Sequence, residues 1–395
     1  MMQYERLGDY IREVNVRNRD EKVTNLLGLS VSKEFMPSIA NTIGTDMSTY
    51  KIVKKNQLVY IADTSRRGDK IAIALLKDYE SAIVSQAYTV FEIIDSNKLL
   101  PKYLMMWFLR PEFDRYARFH SHGSAREIFD WDELCNVMIP LPSIDRQHEI
   151  VEEYETLSRR ISLNEQMIQE LEATAQALYR KMFVDGIDKE NLPDGWRMGT
   201  LGEVCSKIGS GSTPKGGKDS YQDSGVSLIR SMNVFDFNFS YEELAHISDR
   251  QAKQLDGVAV NKKDILFNIT GASVARCCMV PDEIIPARVN QHVMIIRAKD
   301  DYMPYYLLCS LCSDDAKQSL LGMSQSGSTR EAITKAEIDS FHIVIPSQEL
   351  LMDFTTKVEV LYQNVMLYKQ ETSKLKELQS LLLAKMGNLK QKSYG

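Results

Sequence analysis

Apolar side chains recur along two stretches of this chain at a spacing that alternates between four and three residues. In the first stretch they fall at Ile150, Tyr154, Leu157 and Ile161, then at Ile168, Leu171, Ala175, Leu178 and Met182, with Asn164 in the one gap. The second runs through Phe354, Val358, Leu361, Val365, Tyr368, Leu375, Leu382 and Met386, interrupted by Thr372 and Gln379. Such a 4-3 alternation is a coiled-coil seam, and it predicts two helices on the order of 50 Å long at 1.5 Å per residue. Elsewhere the apolar runs are short. MIPLPS (138–143), HIVIPS (342–347) and VSLIRSM (226–232) read as strands, and the chain is therefore mixed α+β.

The pattern repeats. Gly-Ser-x-Arg-Glu is written at 123–127 and again at 327–331, an offset of 204 residues. The same offset carries MIPLPS onto HIVIPS, and it carries the first helical stretch onto the second, matching Leu157 with Leu361, Leu171 with Leu375 and Lys181-Met182 with Lys385-Met386. Upstream the echo continues with small drifts: Leu7-Gly8-Asp9 with Leu201-Gly202-Glu203, KNQLVY (55–60) with KKDILF (262–267), and SQAYTV (85–90) with NQHVMI (290–295). Two tandem copies of one module follow, each a globular head and then a long helix. An antiparallel pairing of the helices about a pseudo-two-fold axis makes a dumbbell, two heads held apart by a stiff spacer. Setting Leu157 against Met386 places Asn164 opposite Gln379, where the two amides would satisfy each other and define the register.

With 395 residues and 44% hydrophobic composition the chain has room for two cores. It has no apolar stretch long enough to span a bilayer and no signal-peptide core at its start, which predicts a cytoplasmic protein away from membranes. Six cysteines fit a reducing compartment. Cys309 and Cys312 have metal-like spacing, but their counterparts Met106 and Leu109 are plain helix positions, and no metal is assigned.

A formal net charge of −6 argues against indiscriminate nucleic-acid binding, yet basic residues cluster locally in both copies. The first cluster holds Lys51, Lys54, Lys55, Arg66, Arg67 and Lys70, and the second Lys207, Lys215, Lys218 and Arg230. A solvated face is the bland alternative for either. The loop KIGSGSTPKGGKDSYQDSG misses the phosphate-loop pattern, having Ser212 and Asp219 where Gly and Ser or Thr are needed. Ser212, Thr213, Lys215, Lys218, Arg230 and Asn233 do offer the donors that phosphates and base edges require, and Gln86, Asn268 and Gln291 join them as DNA-binding candidates. Arg126 and Arg330 suit two roles, phosphate contact or pairing with Glu127 or Glu331. No dinucleotide turn, methylation motif or triad is present, and none of the six histidines has ligand or base spacing.

SHGSAREIFDWDELCNVMIPLPSIDRQHEIVEEYETL (121–157), its repeat at 326–361, LPDGWRMGTLGEV (192–204) and GSTP (211–214) resemble the DNA specificity subunit of type I restriction-modification systems. The resemblance covers nearly the whole chain. It implies two target recognition domains (1–144 and 197–348), long helices at 145–183 and 349–390, and a linker at 184–196. Each domain would read one half of a bipartite, asymmetric double-stranded DNA site. The chain itself would be non-catalytic and without a cofactor. Its helices would dock two methyltransferase subunits carrying S-adenosylmethionine and set the spacer, and two motor-endonuclease restriction subunits using ATP and Mg would join them. The first head departs from the pattern, with NLLGLSVSKEFMPSIANTIG (25–44) in place of the GSTP loop. The specificity chain of a related type II enzyme, or a coiled-coil scaffold that binds protein, are the competing readings.

Overall fold

The computed structural model describes residues 4–38, 45–64, 68, 70–123, 127–326 and 332–387. It comprises two compact units, one of Met1–Asn164 with Gln370–Gly395 and one of Glu165–Lys369. Each unit contains one head and a part of each long helix.

In the first unit, Tyr4–Arg6 pairs antiparallel with Met138–Pro140. Four strands form the central sheet in the order Ile11–Val14, Thr89–Ile93, Leu58–Tyr60, Ile73–Leu75. Helices Pro101–Leu109, Pro111–Phe119 and Trp131–Cys135 follow, and then the first long helix, Ile144–Phe183. The second unit repeats this. Arg197–Thr200 pairs with His342–Ile345, and the sheet runs Cys205–Ser210, Val293–Ala298, Ile265–Asn268, Cys277–Met279. Helices Pro304–Leu311, Asp314–Ser326 and Lys335–Asp339 lead into the second long helix, Gln348–Met386. The second head adds a three-stranded sheet, Ala245–Ile247, Val226–Ile229, Ala287–Val289. The duplication is therefore architectural as well as textual. None of the described helices is long and apolar enough to cross a membrane.

The repeated Leu-Gly-Asp/Glu has a local explanation. Leu7 and Leu201 are fully buried, and their N–H groups donate to Val137 O at 2.8 Å and Phe341 O at 3.0 Å. Gly8 and Gly202 then pass so close to the short helix before the closing strand that an added Cβ would lie 2.8 Å from Cys135 Cβ or 3.0 Å from Asp339 O. Only glycine permits that approach.

Neither core is made by head residues alone. The first packs Phe91, Phe108 and Phe129 with Ile150 and Val151 of the first long helix and Leu383 and Met386 of the second. The second packs Tyr306, Leu307 and Ile343 with Ala175, Tyr179 and Phe183 of the first helix and Leu351, Phe354 and Val358 of the second. The predicted seam is the buried face: Ile150, Ile161, Val358 and Val365 are 1, 7, 3 and 2% exposed, and Asn164 in its gap is 1% exposed.

Within each unit the helices run antiparallel, but the register differs from the expected one. Asn164 donates to the Glu371 carboxylate at 2.9 Å, and Gln379 donates to Ser158 Oγ at 2.7 Å, so Asn164 and Gln379 do not meet. The pairing is displaced by about one heptad, a slip that a heptad seam permits because the apolar pattern repeats every seven residues. Polar chemistry selects among such registers. Glu371 also takes both arms of Arg160, at 3.0 and 2.9 Å, and a bidentate charged contact is stronger than one between neutral amides. Those bonds hold the Glu371 carboxyl below its ordinary pKa, Arg160 contributing first and Asn164 second. In the second unit Glu172 meets Lys369 at 3.1 Å, and burial pushes the Glu172 carboxyl up despite that partner.

Phe354 is fully buried, with the rings of Phe183 and Tyr179 at 5.0 and 6.4 Å. Phe354→Ala should cost about 3–5 kcal/mol of stability in urea denaturation. Leu367→Ala, on the same helix but 63% exposed, should stay within about 0.5 kcal/mol. Equal losses would mean that the seam is not where the stability lies.

Candidate nucleic-acid interface

The antiparallel central sheets gather their variable segments at one end. In the first head, Leu58–Tyr60 runs out there into 61–64, Lys70 leads back towards Ile73, and the turn 85–88 enters Thr89–Ile93. His122 and Ile128 exchange backbone hydrogen bonds of 3.0 and 2.9 Å that close the base of the Gly-Ser-x-Arg-Glu loop, and Phe129 N–H donates to Ala62 O at 2.9 Å. The second head has the equivalent bond, Ile333 N–H to Ile269 O at 2.9 Å, beside a bridge between Thr270 and Ala332. The residues that follow the repeated motif are thus tethered to the same strand end in both heads.

Around that end in the second head three segments converge. Gly211 N–H donates to Val293 O at 3.0 Å and Ser212 N–H to Val289 O at 3.1 Å. A Cβ on Gly211 would fall 1.9 Å from Val289 O, so the GSTP loop leaves its strand only through glycine. Pro214 is buried and anchors the loop, while Ser212, Thr213, Lys215 and Lys218 are exposed. Across from them Asn290 Oδ1 accepts the His292 N–H at 3.0 Å, which turns the chain and leaves Gln291 exposed. His292 Nδ1 lies 2.8 Å from Thr270 Oγ1 and its Nε2 lies 3.2 Å from Gln291 Nε2. His292 and Thr270 had no role in the sequence reading. The NQH/SQA echo pointed to His292, and no sequence signal pointed to Thr270.

The sixteen candidates separate by position. Lys70, Gln86, Ser212, Thr213, Lys215, Lys218 and Gln291 are exposed at these loop ends. Lys54 and Lys55 are exposed too, but at the other end of the first head. Lys54 pairs with Ser81 while Lys51 pairs with Val84 and donates to Tyr88 O, so the strand separates Lys54 from the Gln86 turn. Lys55 is also held to Glu80 at 2.6 Å. Their cluster with Lys70 is a proximity in sequence that the hairpin undoes. The turn there passes through Asn56 at φ +67°, as its counterpart passes through Lys263 at φ +62°.

Three candidates are scaffold, a correction to the sequence reading. Asn233 is fully buried; its Oδ1 accepts Arg230 N–H at 3.0 Å and its amide donates to Ser240 O and Glu242 O. Asn268 is also fully buried, donating to Ser231 O at 2.9 Å and Val234 O at 3.3 Å. Arg230 donates to Glu243 O, and its guanidinium sits 5.6 Å over the Tyr221 ring with its side chain 14% exposed. Strand ends with polar side chains look alike in sequence whether the amide points to solvent or ties down a loop. Arg66, Arg67, Arg126 and Arg330 lie outside the described residues. The pairings foreseen for Arg126 and Arg330 therefore also lie outside the described residues; Glu127 itself meets Arg118.

Cys309 and Cys312 do not converge on one site. Cys309 is 1% exposed in the core, whereas Cys312 Sγ lies 3.3 Å from Cys277 Sγ. Asp236, Cys277 and Cys312 offer atoms within 4.8 Å of one another, the one group among the described residues with the donors to hold a metal ion. The ammonium of Lys317 already pairs with Asp236 there, and burial, with Cys277 beside it, raises the Cys312 thiol well above its usual pKa.

A family model for the type I restriction modification DNA specificity domain matches twice, over residues 23–173 and 193–380. The chain is 24% identical over 312 residues to the type I restriction enzyme MjaIX specificity subunit of Methanocaldococcus jannaschii, covering 74% of this chain and 70% of that one. To the HindI specificity subunit of Haemophilus influenzae it is 21% identical over 457 residues, covering 97% of this chain and 98% of that one. Among solved structures, the S subunit of a type I restriction-modification system from M. genitalium shares the fold, with a TM-score of 0.62 at 15% identity over 98% of this chain and 96% of that one.

Proposed function

This chain belongs to the DNA specificity family of type I restriction-modification systems, and we propose that the loop end of each head reads one half of a bipartite DNA site while the long helices hold the partner subunits and set the spacer. The observation that carries this reading is the matched pair of loop ends. Both tether the residues that follow the repeated motif, 128–129 and 332–333, to the same strand position and present an exposed glutamine, yet the sequences that feed them differ. Shared scaffold with divergent loops is what two readers of different half-sites require. Lys70, Lys215 and Lys218 supply phosphate contacts, and the amides and hydroxyls supply base-edge contacts.

On this reading residues 1–144 and 197–348 are the two recognition domains, and the chain performs no chemistry. S-adenosylmethionine is carried by two methyltransferase subunits, and ATP with Mg by restriction subunits. The long helices have surface to spare for such partners. Leu163 and Leu367, related by the repeat, are 57 and 63% exposed. In the first unit Leu157, Leu378, Leu381 and Leu382 line a groove of about 860 Å³ edged by Glu149, Glu152, Glu153 and Lys385. Exposed leucines on matched helix faces suit two copies of one partner.

Replacing 197–348 with the corresponding segment of a relative should change one half-site and leave the other intact in a methylation map of the host. Concerted change of both halves would overturn independent reading. Leu163→Glu and Leu367→Glu should each cost the purified complex one of its two methyltransferase copies, read by native mass spectrometry; an unaltered mass in both would remove these faces from the docking surface. Inserting one heptad after Leu171 and another after Lys369, points that face each other beside the Glu172–Lys369 pair, lengthens each helix by roughly 10 Å. At about 3.4 Å per base pair the unread spacer should grow by up to about three base pairs with both words unchanged. An active complex with its original spacer would mean that the helices are not the ruler.

A further inference from the structure

We infer that Gln86 and Gln291 are matched base readers, one in each head, and that each takes an adenine in the major groove. This rests on the two-headed reading above and adds to it the residue and the base. The first observation is their equivalence. Gln86 and Gln291 occupy the same point of the repeat, the exposed residue of the turn that enters the second strand of the central sheet. In both heads the residue before it makes that turn with its own side chain. Ser85 Oγ accepts Ala87 N–H at 3.3 Å, and Asn290 Oδ1 accepts His292 N–H at 3.0 Å. The surroundings differ between the heads, but the glutamine and its support are kept.

The second observation is the amide's orientation in the second head. His292 Nδ1 faces Thr270 Oγ1 at 2.8 Å, and its Nε2 faces Gln291 Nε2 at 3.2 Å. With the proton on Nδ1, His292 donates to the threonine hydroxyl and accepts one N–H of the glutamine through Nε2. One N–H and Oε1 are then left for a base. An amide offering one donor and one acceptor pairs with adenine, donating to N7 and accepting from the N6 amino group, a pattern no other base presents in the major groove. His292 and Thr270 are positioning residues: they touch no base and fix the plane of the group that does. Holding the side chain in one rotamer before DNA arrives lowers the entropic cost of binding. In the first head Ala87 stands where His292 does, so Gln86 has its turn but no histidine clamp from that position.

The test is a methylation map of cells carrying the intact system with each variant at its own locus, followed by binding of the purified complex to duplexes that vary one base pair at a time. Gln291→Leu should turn one A·T position of one half-site degenerate, with discrimination there falling roughly 5- to 150-fold, and Gln86→Leu should do the same in the other half-site. Gln291→Glu should move the preference at that position towards C, because a carboxylate accepts from the cytosine amino group. His292→Ala should relax the same position by less than Gln291→Leu, with no other position altered. Relaxation at a G·C position, weakening that is uniform over all sequences, or unchanged words in both leucine variants would overturn the assignment. None of those results touches the two-headed reading, which fails instead if the unaltered complex has no separable half-sites or if replacing one head changes both.

Discussion

Burial of the seam between the two long helices is the constraint on which both heads depend, because each core is closed by residues from both helices. Phe354 and Val358 lie in one cluster with Tyr179 and Phe183, although roughly 170 residues of chain separate the two stretches. Each large apolar side chain buried in this way contributes about 1.5–3 kcal/mol, so a head deprived of either helix segment loses several such terms together. The first unit is the more exacting case. Its core includes Leu383 and Met386, and Tyr4 donates to Gly387 O at 2.9 Å, so its packing is complete only once the end of the second helix is in place. Contacts of such sequence separation carry a loop-closure cost that the burial must offset.

An apolar seam of heptads leaves the alignment of its two helices undecided, and polar groups in and beside the seam resolve it. Arg160, Asn164 and Glu371 form one connected set, and Gln379 with Ser158 forms another. Glu172 and Lys369 do the same service in the second unit at a cost, since burial raises the carboxyl and only the paired ammonium keeps its charge acceptable. Moving either helix by a heptad would break both sets of bonds. Thr372, 8% exposed and with no partner for its hydroxyl among the described residues, is the one seam position whose polarity has no compensation.

Within the heads, the repeated motifs and the divergent loops belong to different physical tasks. Leu-Gly-Asp/Glu, the closing strand pair and the tether at 128–129 or 332–333 are held by burial, by close backbone approach and by main-chain hydrogen bonds, which tolerate little change. The loops those elements support end in exposed side chains that fold stability does not constrain. A specificity subunit needs that division: reading can change without rebuilding the frame. Asn233 and Asn268 show where the line falls, since both look like readers by residue type but support the loops from beneath.

The sequence alone determined the duplication, the two long helices and their buried faces, the mixed α+β heads and the family. The family followed from the resemblance of segments such as 121–157 and 192–204; the rest is written in local periodicity or in a repeat at constant offset, and neither requires knowing what lies across space. It also led to the loop ends through the glutamines and the GSTP segment. Only the tertiary structure decided the helix register, because heptad patterns are degenerate to shifts of seven and the choice rests on where Glu371 and Ser158 fall. It alone separated Lys54 and Lys55 from Lys70, since a hairpin carries residues close in sequence to opposite ends of a strand. It alone distinguished the amides that face solvent at Gln86 and Gln291 from those buried at Asn233 and Asn268, because the direction of a side chain at a strand end follows from what packs against it and not from its own identity.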